Sequence, residues 1–256
     1  MLLSLNGARS LAPIARAVLD KRRSRFARGR SRAAFAQDAR ARRRHGARIA
    51  ARRMPAAAGR REMSHTDGVY ALTPGFDEPS ARQMFQSATD LQTLVIYCPD
   101  PRAYEIPGKI AEEFGLRWPG TVARDEQGNK VAFDTQLALA VTVGGRSIDA
   151  MRTVTTLGHL LALKNVVVVH HTFCGLSAFT ADGLLAGFKH DHGRDLGGIY
   201  DHESLAIGDY ERSVRYDVDL LRKAPGVHPG INLYGYIYDI KAETLIKVVE
   251  DPGSAG

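Results

Sequence analysis

The segment Val166-Val167-Val168-Val169-His170-His171-Thr172-Phe173-Cys174-Gly175 constrains this chain more than any other. Four β-branched apolar residues in succession suit a short strand covered on both faces, the environment inside a parallel sheet. In open α/β sheets, ligand sites gather beyond the carboxyl ends of the strands. This run ends in two histidines, a cysteine and a glycine, with His171 and Cys174 three apart on the turn that leaves the strand. A second apolar strand, Leu94–Tyr97, is followed at once by Cys98-Pro99-Asp100-Pro101-Arg102. If the two strands are parallel neighbours, Cys98, His171 and Cys174 converge at one edge of the sheet. That donor set suits one zinc ion.

The rest of the chain reads as the frame for these strands. A helix is expected from Pro79-Ser80 through Leu91, with Met84, Phe85 and Ala88 as its apolar members. A short helix over Ile106–Phe114 ends at Gly115, and residues 119–135 read as a hairpin around Asp125-Glu126-Gln127-Gly128-Asn129. A second core strand runs Leu137–Val143 into Gly144-Gly145. Ser147 then caps a helix whose stripe is Ile148, Met151, Val154, Leu157 and Leu161. Strand, helix and strand in that order predict a right-handed crossover and a parallel pair. A helix over Phe179–Phe188 precedes a polar loop, 190–209, and Asp209 caps a last helix that Pro225-Gly226 ends. Ile231–Asp239 alternates between Ile231, Leu233, Gly235 and Ile237 on one face and three tyrosines on the other, a strand at or near an edge.

Charge divides the chain at residue 62. Residues 1–62 hold 18 basic side chains against Asp20, Asp38 and Glu62, a local charge of +15. The remainder holds 17 basic and 25 acidic side chains, a charge of −8, so the net +7 belongs to the leader alone. Arg and Ala fill 33 of the leader's 62 positions. Its Arg-rich, acid-poor composition fits a mitochondrial transit peptide, or a start placed too early with translation beginning at Met54 or Met63. A nucleic-acid arm fits poorly, because only Phe26 and Phe35 are available for stacking and the attached body is acidic. No apolar run approaches the roughly 20 residues that span a bilayer. The expected organisation is a leader, 1–62, and one domain, 63–256, placed in the mitochondrial matrix by a transit peptide and in the cytoplasm otherwise.

The two cysteines admit three readings. A buried cysteine packs as a small hydrophobe. A Cys98–Cys174 disulfide is the second reading, against which the lack of a secretory signal counts. Zinc is the third, and catalytic zinc keeps three protein ligands and an open position. Asp100 and Arg102 favour the third. They follow Cys98 by two and four residues, so a carboxylate can stand beside metal-activated water while a guanidinium holds it in a bidentate pair.

Taken together and in this order, C-x-D-x-R at 98–102, Gly144-Gly145-Arg146 and His170-His171-Thr172-x-Cys174-Gly175 resemble the β-class carbonic anhydrases. Ser213-Val214, Asp217-Val218, Leu221 and Pro225, then Gly235-x-Ile237-Tyr238-Asp239, are similar to that family's last helix and strand. The resemblance spans about residues 80–250. It implies an α/β fold with a mostly parallel four-stranded sheet and an added edge strand, flanked by helices. It also implies a homodimer or higher homo-oligomer, and one Zn²⁺ per chain held by Cys98, His171 and Cys174. Asp100 and Arg102 become the catalytic pair, Asp100 can also close onto the metal as a fourth ligand, and His170 is left structural. The implied reaction is reversible hydration of CO₂ to bicarbonate and a proton, with His190 and His192 as possible proton carriers. Two departures remove polarity near the site: Phe173 stands where the family usually has Asp, and Thr142-Val143 stand where it usually has Asn-Ala. They keep two alternatives open, hydrolysis of carbonyl sulfide or carbon disulfide at the same zinc, and a zinc-binding paralogue without turnover.

Overall fold

A computed structural model describes residues 70–254. The leader expected at 1–62, and the start of the domain expected at 63–256, lie outside the described residues. Among the described residues seven strands are formed: β1 Thr93–Tyr97, β2 Thr121–Arg124, β3 Lys130–Asp134, β4 Leu137–Val141, β5 Asn165–His171, β6 Asn232–Asp239 and β7 Thr244–Asp251. The described residues also form six α-helices: α1 Glu78–Ala88, α2 Ile106–Phe114, α3 Ser147–Leu161, α4 Ala181–His192, α5 His202–Leu205 and α6 Tyr210–Lys223. Among the described residues no helix is long and apolar enough to cross a membrane.

The main sheet has the order β4-β1-β5-β6-β7. Its first four strands are parallel, and β7 adds antiparallel to β6. Both faces of the parallel part are covered, which is why β5 carries an unbroken valine run rather than an alternation. Val166 and Val168 pack with Leu94, Ile96, Leu233, Val154 and Leu221 beneath α3 and α6. Val167 and Val169 go the other way, onto Val95, Ile106, Ile110, Tyr236 and Tyr238. On the tyrosine side of β6, Tyr236 and Tyr238 are thus buried and Tyr234 is partly buried.

Several expectations are corrected here. The strands flanking α3, β4 and β5, are parallel but not adjacent, because β1 lies between them. β5 does not stop at Val169: His170 pairs with Ile237 and His171 with Tyr238, so both histidines belong to the strand and not to the turn after it. Ser147 is the first helical residue rather than the cap. Arg146 holds the cap position in an extended conformation, with no side-chain cap bond. Ile148 leaves the expected stripe and is exposed, while Ala150 and Val154 are buried. α4 runs to His192 and stops at Gly193 in the left-handed region, so His190 and His192 sit on a helix end and not in a loop. Basic residues in a last turn suit the helix dipole. In α1, Met84 and Phe85 are exposed.

A buried polar cluster joins the sheet to α6. Asp217 occupies the otherwise apolar stripe of Ser213, Val214, Val218 and Leu221. Its Oδ2 pairs with Arg146 Nε at 2.8 Å and lies 2.9 Å from His170 Nε2. The Arg146 guanidinium also donates to the Glu203 and Ala206 carbonyls, at 2.7 and 3.0 Å. Burial holds His170 below the ordinary imidazole pKa, against the pull of Asp217, so the neutral ring donates to the carboxylate. All three side chains are 0–1% exposed. Removing one partner of such a pair strands a buried charge and costs about 3–5 kcal/mol. Asp217→Ala is therefore expected to lose that much in urea unfolding, while Asp219→Ala, which breaks the exposed pair with Lys223, changes stability by less than about 1 kcal/mol. Equal effects from the two substitutions would contradict this assignment.

Candidate metal centre

The three candidate ligands arrive by two routes. Cys98 is the residue after β1, and His171 is the last of β5, the strand paired with β1 in parallel. Cys174 follows three residues later, at the start of the 3-10 turn Gly175–Ala178. One ligand atom from each of the three lies within 4.8 Å of the other two. All three residues are buried, and both cysteines are free thiols, so the disulfide reading is not realised.

The residues fit a soft divalent ion. His171 Nδ1 lies 3.0 Å from the Thr172 carbonyl, which can only accept, so this nitrogen carries the proton. Nε2 is then left with a lone pair, buried and without a hydrogen-bond partner. A second-atom bond of this kind fixes the tautomer of metal-ligating histidines. The hydrogen bond from Cys174, opposed by burial and assisted by His171 and the backbone N–H groups of Asp100 and Gly144, lowers the Cys98 pKa to about 4. The Cys98 thiolate, together with burial, pushes the Cys174 thiol up in turn. Burial works against a charged His171, but the thiolate beside it and the Thr172 carbonyl leave its pKa raised.

Gly145 is required for this geometry. It adopts φ +71°, and a Cβ there would stand 2.5 Å from the Val169 carbonyl oxygen and 3.3 Å from Tyr97 Cα. Only a residue without a side chain lets the turn after β4 cross so close over β1 and β5. The sequence offered the glycine pair as a motif, and the structure supplies its reason.

Asp100 and Arg102 form the pair expected of them. Arg102 Nε donates to Asp100 Oδ1 at 2.9 Å, and a terminal nitrogen donates to Oδ2 at 2.6 Å. The Arg102 backbone N–H reaches Oδ1 as well, at 2.9 Å. These bonds hold the Asp100 carboxyl well below the ordinary carboxylate range. Asp100 Oδ2 is 4.0 Å from His171 Nε2, next to the ligand cluster but outside hydrogen-bond range. Arg102 also donates to the Phe173 carbonyl at 3.0 Å, tying the turn after β1 to the turn after β5. Phe173 has φ +57°, a left-handed conformation that costs a bulky residue energy and that clusters at functional sites.

Other residues expected near the site divide. His170 faces Asp217 and takes no part in the ligand cluster. His190 pairs with the neighbouring Asp191 on the exposed end of α4, and the His192 ring packs against Phe188. Neither belongs to the cluster. Sequence reasoning missed Ile207, buried against both cysteines with Leu176 and Tyr210 at its edge. It also missed the chain from Tyr210 Oη through Ser177 Oγ to the Cys174 carbonyl, at 2.9 and 2.7 Å. A loop isoleucine and a helical tyrosine carry no pattern that marks them.

No family model matches the sequence, and no curated protein matches it. The fold is similar to solved structures of carbonic anhydrases. That of Streptococcus mutans is 24% identical, over 73% of this chain and 99% of that chain, with a TM-score of 0.47. That of Glaciozyma antarctica is 21% identical, over 77% and 100%, also at 0.47. The apo form of a carbon disulfide hydrolase is 17% identical, over 66% and 86%, at 0.46.

A metal titration checks the donor set. Full-length protein is expected to bind about one Zn²⁺ per chain in a competition assay, and Cys98→Ser, Cys174→Ser and His171→Ala to lose it. His170→Ala keeps the metal in whatever fraction stays folded. Retention by His171→Ala with loss in folded His170→Ala would reverse the two histidines' roles.

Proposed function

We propose that this chain is a zinc-dependent carbonic anhydrase that hydrates CO₂ reversibly to bicarbonate. The observation that carries this reading is the pairing of a buried Cys98–His171–Cys174 cluster with a carboxylate that Arg102 holds 4.0 Å from His171 Nε2. A purely structural zinc site is closed by four protein ligands. Here three donors converge, and the nearest fourth, Asp100, is held by a guanidinium.

Zinc in this cluster supplies Lewis acidity and lowers the pKa of water that it binds. The chain's own residues do the rest. Cys98 and Cys174 offer two thiolates, whose charge offsets that of the ion, and neutral His171 completes the set. The three bonds from Arg102 fix both Asp100 oxygens and keep the carboxylate ionised, so Asp100 can accept a hydrogen bond from the reacting water and orient it. Without the guanidinium the same carboxylate would be free to serve as a fourth ligand. The buried side chains of Ile207 and the half-buried Leu176 exclude water from the cysteine side.

A second reading, hydrolysis of carbonyl sulfide or carbon disulfide, is favoured by Phe173, an apolar side chain where the family resemblance leads one to expect an aspartate. Assembly into a homodimer or a larger homo-oligomer is part of the proposal. Val141, the last residue of β4, and Val143, Phe173 and Phe179, which follow the carboxyl ends of β4 and β5, are each at least half exposed and offer apolar area for a second copy.

Stopped-flow assays of CO₂ hydration and carbonyl sulfide hydrolysis on zinc-loaded protein test the reading. Arg102→Ala and Asp100→Asn are expected to keep zinc and to lose roughly 10²–10⁴-fold in rate, the usual contribution of a positioned acid–base group. Fully metallated wild-type protein inert to both substrates and to carbon disulfide would leave a zinc-binding protein without turnover.

A further inference from the structure

At the opposite end of the sheet from the cysteines lies a groove of about 820 Å³. Its lining includes Lys164, just before β5, and Asn232, the first residue of β6. The length of β5 puts it roughly 20 Å from the metal cluster, at about 3.3 Å per residue. The volume is in the range, roughly 300–1,000 Å³, of small-molecule sites.

Its polar lining is donor-rich and free of acids. No aspartate or glutamate is among the lining residues, whereas Lys164, His159 and His228 are. The Lys164 ammonium has a neutral partner, Gln92 Oε1 at 3.2 Å. The tautomers of both histidines follow from their neighbours. Arg82 can only donate, so His159 Nε2 accepts from it at 2.7 Å and Nδ1 carries the proton. The Gly230 backbone N–H donates to His228 Nδ1 at 3.1 Å, so Nε2 carries that proton. Each imidazole is thereby fixed as an N–H donor, and that donor has no partner among the described residues. The nearby carboxylate of Asp90 is engaged elsewhere, by Arg117 at 2.7 Å and Gln136 at 2.8 Å. The His159 carbonyl, a helix-end acceptor on the rim, is taken by Gln86. Gln86, Thr155 and Asn232 add neutral polar groups, and Leu163, Val227 and Pro229 form the apolar part of the wall.

We propose that this groove binds a small organic acid, a carboxylate on a ring-sized apolar body. The head is held by Lys164, His159 and His228, and the body lies against Leu163, Val227 and Pro229. A single ammonium and two imidazole donors with no competing carboxylate select an anion. A groove of this size with an apolar wall selects against a bare inorganic one.

Calorimetric titration of full-length, zinc-loaded protein with benzoate, benzyl alcohol and acetate tests this. Benzoate is expected to bind saturably and more tightly than either the neutral ring or the ringless acid. Lys164→Met removes a charge-assisted hydrogen bond and is expected to weaken benzoate by about tenfold or more while leaving zinc content unchanged. His159→Gln is expected to weaken it in the same direction. His171→Ala is expected to leave benzoate binding intact, which separates this groove from the metal centre and from any failure of the proposed activity. Absence of saturable binding, benzoate no tighter than benzyl alcohol, or loss in folded His171→Ala with retention in Lys164→Met would each overturn the proposal.

Discussion

The parallel pairing of β1 with β5 is the constraint on which the rest depends. Parallel strands bring their carboxyl ends to the same edge, and here those ends are Cys98 and His171. The cost is that a central parallel strand has no solvent face, so both sides of β5 must be covered. Four consecutive valines meet that demand, divided between the layer under α3 and α6 and the layer under α2. The valine run and the Cys98–His171–Cys174 cluster are thus two results of one topology.

Two further features hold the edge in shape. Gly145 lets the turn after β4 press onto the Val169 carbonyl, which brings the Gly144 N–H to Cys98. On the other side of β5, Asp217 anchors His170 and, through Arg146, the segment around Glu203 and Ala206. Adjacent residues of a strand point to opposite faces. A fixed His170 therefore fixes His171 toward the cysteines. Arg102 closes the arrangement by bridging Asp100 and the Phe173 carbonyl, so the two turns that bear the thiols are linked by one guanidinium.

Most of this architecture was legible in the sequence, for reasons that differ by element. β1, β4 and the core of β5 announced themselves by apolar runs, and α2 by a glycine stop that the structure shows in the left-handed region. The candidate ligands stood out by residue type at strand ends, and the family resemblance chose His171 over His170. Errors fell where backbone pairing, not side-chain character, decides the outcome. Two histidines do not look like strand residues, yet β6 pairs with both. Ser147 looks like a cap, but the tight turn at Gly144-Gly145 delivers the chain to the helix one residue earlier. β7, with its mixed apolar and charged residues, carries too weak a pattern to stand out, and it exists because β6 offers it an edge. The Arg146–Asp217 pair joins residues 71 apart and no local pattern reveals it, although a charged residue on the apolar stripe of α6 was its trace.

The central claim is that two thiolates and one imidazole from these strand ends hold a single ion. X-ray absorption at the zinc K-edge tests it most directly, because it reads donor type and distance at the metal itself. The account predicts two sulfur donors near ~2.3 Å and one imidazole nitrogen near ~2.0–2.1 Å, with a light oxygen or nitrogen donor in the remaining position. A shell of oxygen and nitrogen alone, or of four sulfurs, would contradict it.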